Sequence, residues 1–413
     1  MESLRDTLNF ELPYPGAWAV RIVQAGVAAG LQQDIEVFID PDKIRFVFMP
    51  PEDWTAHTLE QALSDPGLTG NLSLDYLVTA LRFVSLKENS GFRLYFGNGS
   101  ILEWKDAKFQ IREGQRTDWG RIKLAVFQSG AACEDGPNSK ACVRRNAEVH
   151  KALCSRCFVC PNPLRLDGRK IDDLFSGVRE ISRDMRAGSG APIAAGIVEA
   201  DMPSWPIPSQ TFVSKLNHNE SDIDNFEYRG NAPQETADLA FHLEAIGNTG
   251  VGNKSRLLKS TPTLFWIDHG AIVHHEKLDL PEFSLSLSIF CSAEGLDPNP
   301  LDFVLPESAD REKRKLTAVK SLSKPLSEID TDLGQAIHPT KKLGKFTGPK
   351  IIAGGVLLAP FVVVMPALAK PLILASSLLG SGVTIFETLK GGKKSGDTLK
   401  NALEELQDQW PTE

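Results

Sequence analysis

The run AWAVRIVQAGVAAG, Ala17–Gly30, reads as a helix, because its apolar residues recur at helical spacing. A strand follows over Asp34–Ile39, then a turn at Asp40–Asp42 and a second strand over Ile44–Met49. Gly91–Phe96 (GFRLYF), Ser100–Trp104 and Gly120–Phe127 (GRIKLAVF) read as sheet strands by their alternation. Residues 1–173 therefore alternate helix and strand in one α/β unit.

This helix–strand–turn–strand opening resembles the GHKL ATPase fold, shared by gyrase B, MutL, histidine kinases and the heat-shock-protein-90 chaperones. In that family the helix carries Glu-x-x-x-Asn-x-x-Asp-Ala. The Glu activates water, the Asn holds magnesium, and a later Asp-x-Gly-x-Gly reads adenine. Laid on the family's VQNAxDAG, the run VQAGVAAG puts Arg21 at the Glu position, Ala25 at the Asn position and Ala28 at the Asp position. Where Asp-x-Gly-x-Gly should follow, the chain has MPPEDW, Met49–Trp54, with no glycine. A second resemblance lies in LFWIDHGAIVHHEKL and SLSIFCSAEGLDPNPLDFVL. These are similar to bacterial GHKL-like proteins with a second α+β domain of the gyrase/MutL kind.

The resemblance implies an α+β chain, a GHKL-like α/β sandwich followed by a smaller α+β domain, to which the apolar run Ile351–Phe386 adds a C-terminal hydrophobic helical hairpin. It also implies a degenerate nucleotide site. Magnesium-bound triphosphate needs a hard oxygen ligand, and Ala25 has none. General-base chemistry needs a carboxylate or imidazole, and Arg21 is permanently cationic. Without a glycine-rich turn, backbone amides cannot approach phosphates closely. The expectation is a pseudo-ATPase that does not use ATP. The alternative is a nucleotide-dependent ATPase or chaperone-like enzyme with a non-standard site.

Composition bounds the rest. The chain has 413 residues, 42% hydrophobic and 24% charged, with a net charge of −8. It shows no global nucleic-acid footprint. The organisation reads as 1–173, the GHKL-like domain; 174–310, the second α+β domain; 311–350, a charged helix from Asp310 and a linker; 351–389, the apolar hairpin; and 390–413, an amphipathic tail. In that tail Leu399, Leu403 and Leu406 recur at helical spacing. The chain opens MESLRDTLNF, without a basic region followed by an apolar run. The expected location is cytoplasmic, at the inner face of the cell membrane.

The membrane expectation comes from Ile351–Phe386, in which Lys370 is the single ionisable residue. One continuous helix would run about 54 Å, against a hydrocarbon core of ~30 Å. A hairpin turning at Lys370–Pro371 avoids burying that lysine and keeps both lysine-rich flanks on one side. Ile351, Leu357 and Phe361 mark the first arm, and Leu374, Gly380 and Phe386 the second. The competing reading is a buried helical hairpin in a soluble protein. Membrane lipid is the expected partner, with a protein partner or self-association beside it.

Cysteine spacing offers a metal reading. Cys154, Cys157 and Cys160 form CxxCxxC, and Cys142 or His150 could complete a zinc site. In a cytoplasmic chain, thiols or ligands are expected in preference to disulfides. The alternative is that Phe158, Val159 and Cys160 lie in a buried strand. The glycine run GNTGVGNK, Gly247–Lys254, follows a helix-like stretch, ETADLAFHLEAI, and so reads as a turn and not as a phosphate loop. His269 and Gly270 read as an exposed hairpin turn, with His274 and His275 on opposite faces of the next strand. No catalytic residue is expected. The function expected is a non-catalytic sensor or scaffold coupled to the hairpin, as a membrane-perturbing effector.

Overall fold

The computed structural model describes residues 12–30, 33–65, 67–87, 90–105, 108–116, 120–127, 139–172, 174, 189–208, 235–248, 256–296, 305–329 and 394–411. These form a mixed α+β structure with two large sheets.

Helix α1 (Ala17–Ala28) starts at Gly16, whose φ is +80°. A Cβ there would stand 2.9 Å from the Val149 backbone, so glycine allows the helix start to lie against helix α4 (Lys140–Arg156). Strands β1 (Ile35–Ile39) and β2 (Lys43–Phe48) pair antiparallel after α1, as the alternation predicts. Helices α2 (Ala56–Ser64) and α3 (Leu72–Arg82) follow. Each has a side-chain cap: Thr55 Oγ1 accepts from the Thr58 amide at 3.1 Å, and Asn71 Oδ1 from the Leu74 amide at 3.2 Å. Strands β3 (Phe92–Tyr95), β4 (Ser100–Lys105), β5 (Lys108–Glu113) and β6 (Ile122–Phe127) fill one side of the sheet. Strands β7 (Leu164–Leu166) and β8 (Arg169–Lys170) complete the other side, in the order β5-β4-β3-β6-β2-β1-β7-β8. Only the β1–β7 pairing is parallel among these. The core side is sealed by Trp18, edge-on to Phe46 at 6.1 Å, and by α3 packed against α1.

The second sheet contains β9 (Ser189–Val198), β12 (Leu239–Asn248), β13 (Arg256–Leu257), β14 (Thr263–Asp268), β15 (Ala271–Lys277) and β16 (Ser286–Ser292). A separate short pair joins β10 (Trp205–Pro206) to β11 (Thr236–Ala237). Strands β14 and β16 run parallel, and all their residues are buried, with apolar side chains at Leu264–Ile267 and Ile289–Cys291 and small serines at Ser286, Ser288 and Ser292. Helix α5 (Ala309–Ser327) is capped by Ser308, whose Oγ accepts from the Arg311 amide at 3.1 Å. Helix α6 (Lys394–Gln409) packs beside it through Ala402, Leu403, Leu406 and Trp410. One buried apolar cluster runs through both sheets, from Trp18 and Leu77 to Leu264, Trp266, Phe283 and Leu406.

Three expectations change. The stretch ETADLAFHLEAI, read as helix-like, is extended: Leu239–Asn248 is a strand paired to β9 on one side and β16 on the other. Two ladders of neighbours override its weak helical periodicity. Phe158, Val159 and Cys160 are fully buried, but in a turn after α4 and not in a strand. Cys142 is disulfide-bonded, whereas Cys154, Cys157, Cys160 and Cys291 are thiols. The apolar hairpin at 351–386 lies outside the described residues, as does the glycine run beyond Asn248. Among the described residues no helix is long and apolar enough to cross a membrane.

Candidate functional site

The residue at the expected general-base position is sealed inside the molecule. Arg21 is fully buried on α1. Its Nη1 donates to Gln24 Oε1 at 2.9 Å, one helical turn on, and its guanidinium lies 4.9 Å over the Tyr76 ring on α3. Gln24 in turn donates from Nε2 to both the backbone oxygen and Oδ2 of Asp268, at 3.0 Å each. Tyr76 Oη donates to the same Asp268 Oδ2. Asp268 Oδ1 meets His269 Nδ1 at 2.8 Å, and the His269 ring stands edge-on to Tyr76 at 5.6 Å.

Asp268 and His269 come from the turn between β14 and β15, so this network joins the two sheets. The turn is forced tight: His269 has φ +43° and Gly270 φ +74°. A Cβ on Gly270 would stand 2.9 Å from Pro161 Cδ and 3.0 Å from Val27 Cγ2. Glycine is therefore required for the turn to enter the gap between α1 and the Cys160–Pro161 corner. The expectation of an exposed His269 is corrected: it is half-buried at this junction.

The electrostatics of the network follow from its burial and from Asp268. Burial, and then the Asp268 charge, push the Tyr76 hydroxyl well above its ordinary value, so it stays a donor. Burial by itself would lower His269, but its hydrogen bond and attraction to Asp268 outweigh that and raise it. Both Asp268 oxygens are already occupied by Gln24, Tyr76 and His269.

The other expected positions are scattered by chemistry. Ala25 is fully buried in the apolar core and Ala28 packs at its margin. Where an adenine-reading loop would stand, Trp54 is buried with its ring edge-on to Phe48 at 6.1 Å. Cys157 and Cys160 are fully buried. Burial pushes the Cys157 thiol well above its ordinary value and Cys160 up to about 12. Cys154 is half-exposed on α4, its Sγ 3.7 Å from His150 Nδ1, and Cys142 is held in its disulfide. Among the described residues no group of three or more His, Cys, Asp or Glu stands together to hold a metal ion. His274 and His275 do face apart: His274 Nε2 is 3.0 Å from Arg311 Nη2, and His275 stacks on Phe265.

Sequence reasoning missed Gln24, Tyr76 and Asp268. A signal existed for each. Gln24 stands one turn from Arg21 in an apolar helix, Tyr76 interrupts the apolar face of α3, and Asp268 ends the apolar run LFWI.

No family model matches the chain, and no curated protein matches it. Solved structures do. The ATPase domain of the Aquifex aeolicus mismatch repair endonuclease MutL shares 12% identity at a TM-score of 0.31, over 75% of this chain and 99% of that one. The ATPase region of Saccharomyces cerevisiae topoisomerase II shares 9% at 0.32, over 67% and 73%. The B-subunit of DNA gyrase from Myxococcus xanthus shares 9% at 0.35, over 76% and 89%. These are proteins of the kind the sequence resembles, but at such TM-scores the likeness carries no argument about this chain's chemistry.

Proposed function

We propose that this chain is a non-catalytic scaffold or sensor of GHKL-like build. Its former nucleotide position serves as a joint between the two sheets, and the apolar run at 351–386 serves as its membrane element. The observation that carries the reading is the Arg21–Gln24–Asp268 chain of hydrogen bonds, which fills the helix face that a nucleotide site would need open. The order of α1, β1 and β2 supports the GHKL-like reading, and Arg21, Ala25 and Ala28 supply neither base nor magnesium ligand. The apolar hairpin rests on sequence: Ile351–Phe386 holds more contiguous apolar surface than a soluble monomer leaves uncovered.

Labelled ATP, with and without magnesium, tests the first half. The expected result is neither magnesium-dependent binding at micromolar ATP nor turnover above background. Ala25→Asn should restore nothing, because the base would still be missing. Turnover in the wild-type chain that Arg21→Ala abolishes would refute the scaffold reading in favour of an unusual ATPase. Fractionation of the full chain with membranes or detergent tests the second half, and a detergent-free monodisperse monomer would count against it.

A further inference from the structure

Helix α5 has two unlike faces. Ala318, Leu322 and Leu326 are buried against the second sheet and α6. Lys313, Leu316, Lys320 and Lys324 are exposed, and at 3.6 residues per turn they fall within an arc of about 80°. Leu316 is 64% exposed, the most exposed large apolar side chain among the described residues. A row of lysines around one leucine is a local reversal of sign on a chain of net charge −8. Glu328 stands 3.9 Å from Lys324, but both are well exposed, and such a surface pair holds weakly.

What covers this face follows from where the chain goes next. It leaves α5 at Ile329 and is next described at Lys394, and the sequence between carries Ile351–Phe386 with Lys341, Lys342, Lys345 and Lys350 ahead of it. Helix α6 returns to α5. Trp410 Nε1 donates to the Val319 oxygen at 3.0 Å, Gln407 Nε2 to the Leu326 and Ile329 oxygens at 2.9 and 2.8 Å, and Ser323 Oγ to the Pro411 oxygen at 2.6 Å. Glu405 meets Lys259 at 2.9 Å and Ser284 at 2.8 Å. The chain thus departs from and returns to the same unit. The surface charge of this face is complementary to an anionic lipid headgroup layer.

We propose that the exposed face of α5, formed by Lys313, Leu316, Lys320 and Lys324, is the surface this chain lays against anionic lipid headgroups. The lysine stems extend along the boundary with their ammonium groups in the headgroup layer, and Leu316 enters it. Each lysine near an anionic leaflet strengthens partition by roughly fivefold. The proposal rests on the membrane reading above.

The test is sedimentation of the full chain with vesicles of phosphatidylcholine alone, and with about a third phosphatidylserine. Lys313→Glu, Lys320→Glu and Lys324→Glu are combined in one variant, and Leu316→Ser is made separately. The lysine variant should lose at least about tenfold of its partition to the anionic vesicles, keep its partition to the neutral ones, and melt as the wild type does. Leu316→Ser should lose less. If the wild-type chain binds anionic vesicles and the lysine variant binds them equally, this surface is not the contact, and the membrane reading stands. If the wild-type chain binds neither vesicle, both fall. A double-stranded DNA oligomer is the control polyanion: equally tight binding to it, lost in the same variant, would overturn the assignment to lipid.

Discussion

Gln24 and Asp268 lie 244 positions apart and are joined by two hydrogen bonds of 3.0 Å, one to the backbone oxygen and one to the carboxylate. This is the polar link by which α1 holds the β14–β15 turn. Its strength is measurable in a double-mutant cycle. Gln24→Ala should cost about 1–3 kcal/mol, because it leaves a buried carboxylate short of a donor. Asp268→Ala should cost more, because it removes the acceptor of Gln24, Tyr76 and His269 together. The double variant should cost clearly less than the sum when unfolded in denaturant. Additivity to within about 0.5 kcal/mol would show that the two residues act independently.

Gly270→Ala is a second expected outcome. At φ +74°, with Pro161 Cδ only 2.9 Å from the new Cβ, the turn has to back out of its gap. The loss should exceed about 1 kcal/mol, the size of the ordinary glycine-to-alanine effect, and should carry the opposite sign to it. An unchanged or raised melting temperature would mean that the turn is not seated as described.

The pH dependence has a definite sign. His269 is raised above its ordinary 6.5, through Asp268 and, more weakly, Glu294, against burial and Arg21. A group raised in the folded state stabilises fully below its unfolded value and less as pH climbs through its folded value. The melting-temperature gap between the wild type and His269→Gln should therefore be widest on the acid side of 6.5 and should narrow as pH rises. A gap that widens with rising pH would contradict the His269–Asp268 contact.

Trp410 tests the docking of α6. It is buried beside Phe283, with ring centroids 6.1 Å apart, and its Nε1 holds the Val319 oxygen. Trp410→Ala should destabilise by about 3–5 kcal/mol, by deletion of a large buried ring and one hydrogen bond. Limited proteolysis should then cut near α6 well before the first sheet is attacked. Unchanged protease resistance would mean that α6 contributes little to the second unit.

Metal analysis addresses the cysteine cluster. With Cys142 held in a disulfide and no group of three or more His, Cys, Asp or Glu gathered among the described residues, zinc should fall well below about one equivalent in purified protein. A full equivalent that Cys157→Ser removes would restore the four-ligand reading of Cys142, Cys154, Cys157 and Cys160.

The local elements of this chain were legible from its sequence. Helix α1, the β1–β2 pair, strands β3, β4 and β6 and helix α6 follow from the spacing of apolar residues, because burying one face sets the period of a helix or strand; helix α5 follows from the charged run that starts near Asp310, and α3 only from the family resemblance. Residue type at Arg21, Ala25 and Ala28 carries the proposal that nucleotide chemistry is lost, which the ATP assay tests. Strand β12 was not legible, because its periodicity is weak and its state is set by partners at Ala191–Val198 and Ser286–Cys291. Nor was the joint. Asp268 and His269 look like the tip of a hairpin until the second sheet lays them on α1 and Tyr76. A side chain's own neighbours along the chain carry no information about a partner 244 residues away, so burial, charge pairing and the seat of Gly270 were decided by tertiary packing alone.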